Sequence, residues 1–335
     1  MSGQPKRQHT VPCSYLRWFS NNPYEWDNGR SSIVYTYDIK EEKWMYRSVD
    51  SATIQKDIYT LVDKEWSKSY FVEDFLGERI EKIAHIIEKI DKKENLQQSE
   101  IEQLALFITF QEMRSQSRRE IDKSNDEDLL KHILNSCFSH CNNQTDLEQS
   151  IANSVATYFP DCKLECSIQD VIEKFPKGEK ISLNTQNRSI RNMMAMAPEM
   201  AKLLIMRPWL IMHISGTRSF ITSDYPLYLD WERNAIYSPG YGTADHIEMA
   251  LSKKSYLIMY SPFDKGLDFH WKEPHTVKNI YQDVVDPKLI RLMNYATAYA
   301  TNRRLIGNDK ELVESIHKTI KKLDEDYKNK KSRGG

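Results

Sequence analysis

Hydrophobic positions along the chain repeat with two different periods, and the period changes at a few defined places. Residues 33 to 49 alternate β-branched and aromatic side chains around a Lys-Glu-Glu-Lys turn, which predicts a β-hairpin. From about 52 to 206 the spacing turns helical. Phe75, Ile80, Ile83, Ile87 and Ile90 form one stripe of a predicted helix. Ser99 with Glu102 reads as a capping box opening the next, which is expected to run through IEQLALFITFQEMRSQSRRE. Ser124 and Thr145 are the expected caps of two further helices, and the Met-rich run at 188 to 206 predicts another, its methionines filling core.

The run RPWLIMHISGTRSFITSDYPLYL, residues 207 to 229, changes the period again. With Gly216 and Thr217 as a two-residue type II′ turn, it predicts a hairpin pairing His213 with Phe220, Ile211 with Thr222 and Trp209 with Asp224. Residues 256 to 260 are expected to complete its sheet, and 286 to 306 to form one helix with Asn294 among apolar neighbours. The charged end, KKLDEDYKNKKSRGG, is expected to fray. Strands at 33–49 and 209–260 covered by helices make the expected class α+β, mainly helical with a small antiparallel sheet.

Composition narrows the setting. The 335 residues carry 47 basic and 48 acidic side chains, so no overall field draws the chain to nucleic acid or membrane, although local patches remain open to either. No run of 18 apolar residues occurs, and MSGQPKRQH has no hydrophobic stretch behind its charges; a cytoplasmic protein with no membrane partner is expected. Five cysteines, an odd number, point to reduced thiols. Cys137, Cys141, Cys162 and Cys166, with His140, have paired spacing that suits zinc. Helix-like sequence between the pairs, with no turn residues inside them, favours buried thiols instead.

The side chains able to carry chemistry are few. Pro12 opens a short helix with Tyr15 and Phe19, and holds His9 near the core. Gln111, Arg114 and Arg118 share a helix face, where guanidinium forks suit phosphate or carboxylate. Asp224 sits at a strand end before Tyr225-Pro226, where it serves either chemistry or the turn. Arg207 and His213 match the spacing of a helical ribonuclease family, but Pro208 and the β-rich run behind it place His213 on a strand. No phosphate-cradling glycine loop and no serine-nucleophile elbow occurs.

QHTVPCSYLRWF, QEMRSQSRR, FITSDYPLYL, ALSKKSYLIM and RLMNYATAYA together resemble the bacterial family catalogued as domain of unknown function 4238, over nearly the whole chain. The resemblance implies one domain over 1–330, with a helical portion at about 52–206 and a hairpin and sheet portion at about 207–262. It places His9, Pro12, Tyr15, Phe19, Gln111, Arg114, Ser223, Asp224, Pro226 and Asn294 at motif positions, and supplies no activity. Polar residues from distant segments suggest a site.

Three readings follow. In the first, a phosphodiesterase or nuclease, Asp224 holds Mg²⁺ or Mn²⁺, with Glu78 or Glu81 as a weaker second ligand. His9 is then the general acid or base, Arg114 neutralises the phosphate, and Gln111, Tyr15, Ser223, Asn294 and Arg118 orient the substrate. In the second, a non-catalytic module uses the same cluster to bind a nucleotide, an acidic ligand or a protein. In the third, Asp224, Arg114 and His9 form a buried network that fixes the fold. A role in phage defence or a toxin system fits the first by analogy alone.

Overall fold

In the computed structural model, residues 7–24, 32–62, 68–230, 240–262 and 280–333 are described. Helix accounts for 52% and strand for 19%, so the class is α+β with helices dominant. Among the described residues no helix is long and apolar enough to cross a membrane.

The hairpin at 33–49 forms as expected, Ile33–Asp38 against Lys43–Ser48 with Asp38 opposite Lys43. It belongs to a four-stranded antiparallel sheet whose order is Thr222–Ser223, Arg304–Gly307, Ile33–Asp38, Lys43–Ser48. The strand Arg304–Gly307 replaces the end of the expected helix at 286–306, which stops at Ala300. Leu305 and Ile306 are buried in the sheet, and pairing there satisfies backbone groups that a continued helix would carry away from the core.

The hairpin expected around Gly216 does not form. Trp209–His213 instead lies inside a second sheet of order Leu227–Asp230, His246–Ala250, Ser255–Tyr260, Trp209–His213, Ile280–Asp283, antiparallel except for the last pair. Trp209, Ile211 and Met212 are buried, and a strand so apolar needs a neighbour on each edge, which one hairpin arm does not provide. Gly216 also lacks the positive φ of a type II′ turn; among the described glycines Gly178 has it, at 78°. Thr222–Ser223 crosses to the first sheet, so Asp224 and Trp209 are not partners.

The helical half departs from expectation at its breaks. The stripe of Ile80, Ile83, Ile87 and Ile90 is buried, but Phe71–Phe75 passes into a π-helical turn at Leu76–Ile80 before Ala84–Asp91 resumes, the extra residue rephasing the stripe. The expected helix through residue 120 is two: Gln98–Met113, and Gln116–His140 capped by Ser115, whose Oγ accepts the Arg118 N–H. The working caps are Glu100 on the Gln97 N–H, Ser115, and Asn143 ahead of Gln144–Tyr158, rather than Ser99, Ser124 and Thr145. Gln186–Ile205 is the expected Met-rich helix, packed on Gln98–Met113. The C-terminal stretch continues a helix, Lys310–Arg333, where fraying was expected.

Gly307 marks where the first sheet meets the C-terminal helix. A Cβ there would lie 2.9 Å from Val313 Cγ2 and 3.3 Å from Ile221 Cγ2, both on fully buried residues. Gly307→Ala is expected to destabilise by about 1–3 kcal/mol, read as a lower melting temperature. Gly77→Ala, with nothing within 4 Å, should leave melting unchanged or raise it.

Candidate functional site

Among the expected site residues, His9 is the one that bonds to a one-turn helix, Val49–Ala52. Four residues cannot satisfy their own carbonyls, so donors must come from elsewhere. His9 Nε2 lies 2.9 Å from Asp50 O, Cys13 Sγ donates to Val49 O at 3.4 Å, and Thr10 donates to Thr53 O through N (3.0 Å) and Oγ1 (3.1 Å). From the other side come two guanidinium groups, Arg47 to Ser51 O (3.5 Å) and Arg304 to Ala52 O (3.1 Å). Successive carbonyls of a helix rise by about 1.5 Å, so the imidazole and both cations share one helix end. His9 Nε2 also meets Cys13 Sγ at 3.3 Å; burial first, then the charges of Glu81 and Asp50, push that thiol up to about 12, so it stays protonated.

Several motif residues are buried and already engaged. Gln111 donates to Thr10 O (2.9 Å) and its Oε1 accepts Arg114 Nε (3.0 Å) and Nη2 (2.6 Å), while Arg114 Nη1 holds Glu81 at 2.7 Å. Arg114 is 1% exposed, and this bonding directs its fork at protein rather than at a ligand. Tyr15 OH bonds Thr222 Oγ1 (2.7 Å) and Ala250 O (2.6 Å). Asn294 accepts the Ile221 N–H (2.9 Å) and donates to Ser219 O (3.1 Å), bracing the segment that leads to Asp224. Ser223 Oγ donates to Tyr225 O (2.6 Å) and accepts the Tyr225 N–H (3.1 Å). Arg118 lies on the next helix, where it pairs with Asp122 at 3.1 Å.

Asp224 joins the one-turn helix through Arg304. Its N–H bonds Arg304 O (3.0 Å), and its Oδ1 accepts the Arg303 N–H (3.1 Å). Burial raises its carboxyl above the ordinary range, against the pull of these N–H groups and the Arg304 charge. Glu81 is committed to Arg114, and Glu78 is exposed on the π-helical turn. What Asp224 offers a cation is one carboxylate whose Oδ1 already has a donor. Among the described residues no group of three or more His, Cys, Asp or Glu is placed to hold a metal ion. Cys137 and Cys162 lie in a separate core with Leu130, Ile151 and Phe159, and Cys141 and Cys166 are half-buried.

Sequence reasoning missed two groups. Arg47 and Arg304 are one. Arg47 contacts Met45 Sδ and a carbonyl but no carboxylate among the described residues, and Arg304 has a buried Nε without a hydrogen bond. The nearest acid to Arg304 is Asp38, 3.9 Å away, which already accepts from Arg303 at 2.6 Å. Reading Arg304 as helical concealed it. The other group centres on Glu112, 8% exposed, with Oε2 lacking a partner among the described residues. Burial first, and secondarily Asp122, raise Glu112 to about 7 against the Arg118 charge. Its signal was available: Ile101, Leu104, Ile108 and Glu112 follow one helical stripe, so an acid stands at a core position.

Two stability tests follow. Arg114→Ala leaves Glu81 and Gln111 without their partner and is expected to cost about 3 kcal/mol in denaturant unfolding. Because the folded protein holds the Glu112 proton above the ordinary 4.5, stability should fall as pH rises from about 4.5 to 7. Glu112→Gln should flatten part of that slope in melting curves and gain up to about 3 kcal/mol at pH 8. Glu73, also raised to about 7 chiefly by burial, accounts for another part.

No curated protein and no solved structure matches the chain. A family profile described as "Protein of unknown function (DUF4238)" matches residues 7–311, which include His9, the one-turn helix, Glu112, Asp224 and Arg304. By that match over most of its length, the chain belongs to the DUF4238 family.

Proposed function

We propose that the protein is an enzyme of phosphodiester chemistry, a nuclease or phosphodiesterase acting on nucleic acid at the end of the one-turn helix. One observation carries the reading: two guanidinium groups, Arg47 and Arg304, lie beside an imidazole without a carboxylate in hydrogen-bond reach among the described residues. Partly desolvated guanidinium forks favour a bound phosphate over water. The phosphate-neutralising role expected of Arg114 thus passes to Arg47 and Arg304. His9 lies at the same helix end and takes the role of general acid or base. Asp224 acts as a positioning residue, gripping the backbone beside Arg304.

The second reading, a non-catalytic module for a nucleotide or acidic ligand, draws on the same two cations and needs no proton transfer. A bacterial cytoplasmic setting, with phage defence or a toxin system as context, belongs to the first reading, and the five free cysteines suit it.

The test is incubation with labelled RNA, single-stranded DNA and duplex DNA, each with Mg²⁺, Mn²⁺ or EDTA. Wild type is expected to cleave at least one substrate, His9→Ala to abolish cleavage, and Arg304→Gln to slow it by roughly 10²–10³, the usual loss when one charge-stabilising donor is removed. Each variant is first matched to wild type by melting. Binding without cleavage under every condition, unaffected by Asp224→Asn, would transfer the site to the second reading.

A further inference from the structure

Away from His9 and Arg304, a cavity of about 640 Å³ lies between the helix Gln116–His140 and the turn that follows the helix Ile168–Lys174. Small-molecule sites occupy about 300–1,000 Å³, so the volume suits one. Local chemistry builds both walls. On one side Leu130, Leu134 and Phe138 recur every fourth residue and share a face of Gln116–His140. On the other, Gly178 at φ 78° closes the helix end, with its N–H on Phe175 O (3.0 Å) and the Glu179 N–H on Lys174 O (3.2 Å). That left-handed close reverses the chain and brings Glu179, Lys180 and Ile181 to the cavity. The walls meet through the Phe138 and Phe175 rings, stacked with centroids 5.4 Å apart and 27° between planes. Leu130, Leu134 and Ile181 are buried there in a core separate from the one beneath His9. These five side chains make an apolar floor.

Carboxylates outnumber ammonium groups around the floor: Glu127, Asp128 and Glu179 against Lys131 and Lys180. Lys180 is committed to Glu127 Oε2, at 2.7 Å. Asp128, Glu179 and Lys131 are exposed and form no ion pair among the described residues, which leaves two acids to one base at the rim. Glu127 distinguishes the cavity from a surface dimple. Its side chain is 9% exposed, and its Oε1 is buried without a hydrogen bond among the described residues. Lys123 Nζ stands 3.7 Å from Oε1 and bonds Glu165, at 3.3 Å, instead. Burial opposes ionisation of Glu127, but Lys180, Ser182 and Lys123 hold its carboxyl below the ordinary range, so it stays charged. A buried carboxylate oxygen needs a donor, and a charged one favours a cationic donor.

We propose that this cavity binds a protonated amine with an apolar or aromatic body, the ammonium donating to Glu127 Oε1 and the body covering Leu134, Phe138 and Phe175. An aromatic body adds ring contacts with the Phe138 and Phe175 pair. Asp128 and Glu179 draw cations to the rim and disfavour anions. The same carboxylates disfavour phosphate, the group assigned to Arg47 and Arg304. The two sites therefore take ligands of opposite charge, and the amine site does not depend on phosphodiester chemistry.

Calorimetric titration of the full chain with phenethylamine tests it, beside phenylpropionate and phenylethanol, which keep the ring and change the charge. The amine is expected to bind at least tenfold more tightly than either control, to raise the melting temperature, and to weaken as salt rises. Glu127→Gln, of nearly equal volume, should weaken it at least tenfold. Because that substitution also disturbs Lys180, Asp128→Asn on the exposed rim serves as a second variant that spares the fold, and it should weaken the amine by twofold or more. Arg304→Gln should leave amine binding unchanged. Lack of amine binding at millimolar concentration overturns the site. Equal binding of all three probes does so too, since a plain apolar groove gives that result. Amine binding that Glu127→Gln and Asp128→Asn both leave intact puts the cation elsewhere and also overturns it.

Discussion

The structure depends on keeping one turn of helix, Val49–Ala52, supplied with hydrogen-bond donors. Four residues pay the nucleation cost of a helix without the propagation that offsets it, so the turn persists only because other segments complete it. Its carbonyls take His9, Cys13 and Thr10 from the N-terminal segment, Arg47 from the hairpin and Arg304 from a strand some 250 residues away in sequence. These contacts join the N-terminal segment and the 49–60 region to the four-stranded sheet. The short strand Arg7–His9 pairs with Ile54–Lys56 just beyond the turn, and Gln8 Oε1 accepts the Tyr59 N–H at 2.7 Å.

The same constraint concentrates charge. Guanidinium groups are good donors to a helix end because they complement its negative dipole and present several N–H groups at once. Arg47 gives Nη1 to Ser51 O and its Nε and Nη2 to Met45 Sδ, and Arg304 gives Nη1 to Ala52 O. Arg303 follows a different course: bound to Asp38 and Glu41, its guanidinium is held above its ordinary range and is neutralised. Two adjacent arginines therefore differ in availability. The difference comes from what each one meets, Asp38 and Glu41 for Arg303 and the Ala52 carbonyl for Arg304.

The motif residues divide along a similar line. Gln111, Arg114, Tyr15 and Asn294 are buried, and each holds a backbone or side-chain partner from a distant segment. Ser223 and Asp224 hold other residues in place, Tyr225 in one case and the Arg303-Arg304 backbone in the other. Glu112 beside Gln111, and Arg304 beside Arg303, each keep a buried side-chain atom without a hydrogen bond among the described residues.

Local rules were enough wherever one segment contains the whole interaction. The 33–49 hairpin, the Gln186–Ile205 helix and the strand at 255–260 were legible in the sequence, because period and turn chemistry act within about ten residues. The family was legible for the same reason, since its motifs are short and local. Pairing and charge compensation were decided by the tertiary structure. The run at 209–213 has the same alternation whether it pairs across Gly216 or with Ser255–Tyr260, and its burial on both faces selects the second. Whether an arginine serves the fold or a ligand depends equally on what folds against it: Arg114 found Gln111 and Glu81, whereas Arg304 found one carbonyl. Hydrogen-bond satisfaction is a property of the assembled core, and a linear sequence does not contain it.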